Sequence, residues 1–140
     1  MAIANYTTAV TVRSSVDSIV KLLAKAGARS ITHDMDEQGL TIGLSFVIAT
    51  EYGWRPFRLP IRVDGVHATL KRDRVPPRYQ TRDHAARVAW RIAHDWLRAQ
   101  LAIIDAGMTT LPEVFFPYVL LDAETTAYEK YVGDAKELLA

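Results

Sequence analysis

Between Thr81 and Gly107 the chain runs without a glycine or proline, and its apolar residues recur at the helical period. Thr81 is a good N-cap and Gly107 a natural stop, so the spacing predicts one long helix over 82–106. At 1.5 Å rise per residue that helix is about 37 Å long, and the rest of the chain has to cover it. Its apolar side is broad. Ala85, Ala89, Ile92, Trp96, Ala99 and Ile103 form one seam, and Ala86, Trp90, Ala93, Leu97, Leu101 and Ile104 form the next. Two seams exceed what a helix lying on a sheet needs. One is expected to meet a sheet, the other a C-terminal arm or a second subunit.

The sheet is expected upstream. "YTTAVTV" (6–12) is β-branched and alternating and reads as a first strand. Ser15 reads as the N-cap of a helix over 15–26, with Val16, Ile19, Val20 and Leu23 on one face and Gly27 closing it. Short alternation at Ile31, His33 and Met35 predicts a strand over 31–35, and "LTIGLSFVIAT" (40–50) alternates most cleanly of all. "RPFRLPIRV" (55–63) reads as an edge strand, because Pro56 and Pro60 donate no ladder hydrogen bond. Residues 64–73 suggest a short helix, 74–80 an extended connector, 110–121 an apolar arm broken by prolines, and the last residues one or two weak helical turns. The expected fold is α+β: a small antiparallel sheet (β-α-β-β-β) packed against one long amphipathic helix, with the arm at the C-terminus. The 140 residues are expected to form one domain, with the sheet unit at 1–73, the helix at 81–107 and the arm at 108–140.

An apolar fraction of 49% and a charged fraction of 24% argue for a globular core and against disorder. The absence of cysteine excludes disulfides, thiolate metal sites and iron–sulfur clusters. No run is long enough to span a membrane, and the first residues lack the layout of a signal peptide, so a cytoplasmic location and no membrane partner are expected. His33, His67, His84 and His94 have no helical ligand spacing; no serine or threonine sits in a nucleophile motif and no glycine-rich loop cradles phosphate. A non-enzymatic protein with no cofactor and no metal is therefore expected.

The net charge of +1 hides a polarity: residues 55–98 carry +7 and the remainder −6. Arginine far outnumbers lysine in that basic stretch. On the long helix, Arg87, Arg91, His94 and Arg98 fall on one narrow stripe flanked by His84. The plainer reading is a solvated face with Asp83–Arg87 and Arg91–Asp95 ion pairs. The sharper reading is a polyanion surface, since arginine grips phosphate through two donors and stacks on bases. On that reading Arg58, Arg62, Arg74, Arg78, Arg82, Arg87, Arg91 and Arg98 contact phosphates, and Trp54 and Tyr79 are stacking candidates.

The stretch "VPPRYQTRDHAARVAWRIAHDWLRAQLAIIDAGMTTLPEVFFPY" resembles a family of small phage and prophage proteins, and the resemblance extends less sharply to "FRLP" and the N-terminal unit. It implies a viral or prophage context, where small proteins serve DNA replication, recombination or host takeover, and it supplies no catalytic residues. At the level of fold alone, a hairpin-rich sheet backed by a long helix is similar to the core of ring-forming single-strand annealing proteins. Together these imply a protein of the host cytoplasm that binds single-stranded nucleic acid as a homo-oligomer. The alternatives are an interaction module for a host protein, with "LPEVFFPYVLL" as docking arm, and a structural phage component.

Overall fold

A computed structural model describes residues 2–139. The order is α1 (Val12–Lys25), β1 (Ser30–Met35), β2 (Thr41–Thr50), β3 (Gly53–Arg58), α2 (Val63–Arg72), α3 (Arg82–Asp105), α4 (Leu111–Phe115) and α5 (Ala127–Leu139). Single 3₁₀ turns at Pro77–Tyr79 and Phe116–Tyr118 precede α3 and follow α4.

The expected architecture of one long helix on a four-stranded sheet unit is not what forms. Among the described residues the antiparallel sheet has three strands in the order β1-β2-β3, and five helices make up most of the regular structure. α3 explains why. Val88, His84 and His94 are buried in addition to Ala85, Ala86, Ala89, Trp90 and Leu97, so the first two-thirds of the helix are enclosed from several sides. One sheet face cannot enclose a helix in that way. Instead α1 and α2 both pack along α3, and the sheet closes one further side.

The predicted first strand is absent. Residues 4–7 form a turn, and the helix begins earlier than expected, at Val12. Thr11 is the N-cap: its hydroxyl accepts from the Ser14 backbone N–H at 3.1 Å. Ser15 therefore lies inside α1, on the face that carries Val16, Ile19 and Leu23 into the core. It is fully buried, and its hydroxyl has no hydrogen-bond partner among the described residues. A buried hydroxyl left unpaired costs about 1–3 kcal/mol. Ser15→Ala is thus expected to raise stability by about 1 kcal/mol in urea unfolding; a loss of stability would show that the hydroxyl is satisfied.

β2 keeps the predicted alternation. Leu44, Phe46 and Ile48 are buried against α1, α3 and Phe115, while Gly43, Ser45, Val47 and Ala49 point to the other side. That second side carries no helix of the main core. β3 stops at Arg58, short of the predicted 55–63, because the chain turns toward α2 after Leu59 donates to the Leu44 carbonyl at 3.0 Å. Pro60 therefore lies beyond the strand. Pro56 sits opposite Val47 on the outermost strand, and its carbonyl accepts from Leu120 N–H at 2.8 Å.

α3 begins and ends at the expected signals. The Thr81 hydroxyl accepts from His84 N–H at 3.1 Å, and Gly107 follows with φ +77°, a left-handed conformation that glycine adopts without strain. Trp90 is wholly buried, and its indole N–H donates to the Thr41 carbonyl at 2.8 Å. Trp96, on the other seam, meets Phe115 and Tyr118 edge-on at 5.7 and 5.6 Å. The arm that follows α3 packs on this seam at Trp96 within the same chain. Thr110 and Glu113 hold the start of α4 as a reciprocal capping box.

Candidate nucleic-acid interface

The arginines of the basic stretch occupy separate places. Arg82, the first residue of α3, is held between Asp36 at 2.8 Å and Asp64 at 3.3 Å. It ties the β1–β2 turn and the start of α2 to the long helix. Arg58 donates to the backbone carbonyls of Glu124 and Ala123 at 3.1 and 3.3 Å, fastening the loop before α5 to β3. Arg91 pairs with Asp95 at 3.7 Å and also donates to His94 Nε2 at 3.2 Å, leaving the His94 Nδ1–H to donate to Asp95 at 3.0 Å. These three arginines hold the chain together.

The helical stripe is partly roofed. The N-terminal segment that failed to become a strand crosses it: the His84 ring donates to the Tyr6 carbonyl, and the Asn5 amide donates to Asp95 at 3.1 Å. Arg87 and Arg98 remain exposed, with no acidic partner among the described residues. Arg62 stands at the N-cap of α2. Arg74 follows the C-cap of α2 with φ +54°, a position usually given to glycine. Arg78 lies over the Tyr79 ring at 4.7 Å, while Tyr79 itself packs edge-on to Tyr6 at 5.8 Å and against His84 at 4.9 Å. Tyr79 is therefore a half-buried packing residue.

Trp54 is placed differently. It is 49% exposed and pairs with Ala49 across β2 and β3, on the sheet side facing away from the core. Arg29 reaches it from the start of β1, its guanidinium 5.6 Å from the ring centre. The exposed Tyr52 lies at the same hairpin tip, where Gly53 turns the chain with φ +97°, while Arg55, opposite Ile48, lies on the other sheet face. The Thr50 hydroxyl braces the turn, donating to the Gly53 carbonyl at 2.8 Å and accepting from Tyr52 N–H at 3.1 Å. Arg29 was not singled out from sequence. Arg29 belongs with Trp54 only through strand pairing, as its N–H donates to Val47, two residues before Ala49.

Four carboxylates sit below their ordinary values. Asp36 is lowered first by its hydrogen bond from Arg82, Asp95 first by that from His94, Asp122 by the backbone N–H of Glu124 and Thr125, and Glu129 by the backbone N–H of Thr126. Minor attraction from Arg58 and Arg62 also reaches Glu129. The unfolded chain therefore binds more protons than the folded one between the lowered values and the ordinary 3.8 to 4.5. These groups contribute fully above that window, and their contribution is lost as pH falls through it. Urea midpoints are expected to drop below about pH 4; midpoints that hold steady to pH 2.5 would contradict these contacts.

Among the described residues no three His, Asp or Glu side chains gather as a metal site, and no helix is long and apolar enough to cross a membrane. No family model, no curated protein and no solved structure matches the chain.

Proposed function

We propose that the protein binds single-stranded nucleic acid without catalysing a reaction, as a homo-oligomer serving phage or prophage recombination or replication in the host cytoplasm. The observation that carries the reading is Trp54, exposed on the open sheet face with Arg29 beside its ring. An aromatic face next to a guanidinium group holds a base by stacking and a neighbouring phosphate by charge, with little regard for sequence. The hairpin tip is thus the principal contact. Arg62, Arg74, Arg78, Arg87 and Arg98 supply longer-range attraction that steers a polyanion toward the protein. Arg58, Arg82 and Arg91 serve the fold first.

The test is fluorescence anisotropy with labelled oligo-dT and a matched duplex, at low and moderate salt. The expected result is preference for the single strand and an affinity that falls with salt, with a log–log slope of about −0.7 for each phosphate neutralised. Absence of binding at low salt overturns the reading and directs attention to a protein partner.

A further inference from the structure

We propose that α5 of one copy docks into a groove between α1 and α3 of a second copy, so that the chains associate head to tail. This deepens the homo-oligomer part of the reading above and rests on it only there.

The first observation is an amphipathic helix with almost nothing against it. Tyr128, Tyr131, Val132, Ala135 and Leu138 fall within one stripe of α5 at 100° per residue. No residue of α5 is buried; Tyr131 is 70% exposed and Leu138 86%. Its main contact with its own chain is the Phe116–Tyr118 turn. A helix of this length gains most of its stability from burying its apolar stripe; here Val132 and Ala135 are half-buried, while the Tyr131–Leu138 edge is left open.

The second observation is a groove of matching character. Leu22, Leu101, Ile104 and Leu111 line a depression of about 440 Å³ between the C-terminal halves of α1 and α3. Lys25 and Arg98 stand at its margin with no acidic partner among the described residues, alongside one acid, Asp105. No residue of α5 lines this groove.

Charge selects the occupant. Residues 122–139 carry Asp122, Glu124, Glu129, Asp134 and Glu137 against Lys130 and Lys136. Asp134 flanks the Tyr131–Leu138 edge of the stripe, where Lys130 holds it at 3.1 Å in an exposed pair; docking exchanges that partner for Lys25 and Arg98 and turns Lys130 toward Asp105. An acidic amphipathic helix and a basic apolar groove on the same molecule make a heterologous contact, which builds rings or open chains.

Light scattering after size exclusion tests this on the full chain, without nucleic acid, so its failure leaves strand binding standing. The wild type is expected to exceed its monomer mass of 15.7 kDa increasingly with concentration. The groove variant Lys25→Glu/Arg98→Glu and the helix variant Tyr131→Asp/Leu138→Asp change exposed residues and are expected to keep the wild-type circular dichroism. Each alone is expected to be monomeric, and their equal mixture to form dimers, because each retains the surface the other lacks. A wild type that stays monomeric, a variant that keeps the wild-type mass, or a mixture that stays monomeric overturns the proposal.

Discussion

Trp54→Ala is expected to weaken oligo-dT binding about tenfold or more, since each base stacked on an aromatic ring contributes about 1–3 kcal/mol. Stability is expected to change little, because the ring is half exposed on the open sheet face. Trp54→Phe keeps a stacking face and should retain most of the affinity. The tryptophan fluorescence supplies an independent readout. Trp90 is enclosed and Trp96 is packed against Phe115 and Tyr118, so quenching on addition of oligo-dT reports chiefly on Trp54. Unchanged affinity in Trp54→Ala would remove the hairpin tip from the interface even if the protein binds nucleic acid elsewhere.

Trp90→Ala is expected to be the most damaging single substitution. Removing a fully buried tryptophan costs about 3–5 kcal/mol in lost burial and cavity. The Thr41 carbonyl would also lose its donor. Against a total stability of about 5–15 kcal/mol the loss leaves a marginal fold. Trp90→Phe refills much of the volume but not the hydrogen bond, and should fall between the two. Urea midpoints at pH 7 measure both; a loss below 1 kcal/mol for the alanine variant would mean that α3 and the sheet are not joined at Trp90.

The parts of this fold legible in sequence are those whose signals are local. Thr81 and Gly107 bound α3 because a cap and a left-handed glycine act within one turn. β2 is legible because Leu44, Phe46 and Ile48 alternate against a core. The stretch 6–12 misleads because β-branched alternation is necessary for a strand but not sufficient: Thr11 caps a helix there, and the hydrogen bonds of a strand need a partner that residues 6–10 do not meet. The grouping of the arginines was illegible for a different reason. Arg82 finds Asp36 forty-six residues away and Asp64 eighteen away, and no local pattern encodes either. Trp54 was visible as an aromatic near arginines, but its true neighbour Arg29 follows from the β1–β2–β3 register rather than from proximity in the chain.

The hydrogen bond from Leu120 to Pro56 has a consequence for how copies of this protein can meet. Together with the bridge between Phe57 and Val119, it pairs the Pro56–Phe57 part of the outer rim of β3 with the chain's own backbone. Recruitment of a foreign strand is left to the rim of β1, where the register slips at Asp34/Met35 and an exposed aspartate stands guard. Strand-by-strand stacking needs two open rims per molecule in order to propagate, and here part of the second is already paired, which hinders growth into β-rich fibres.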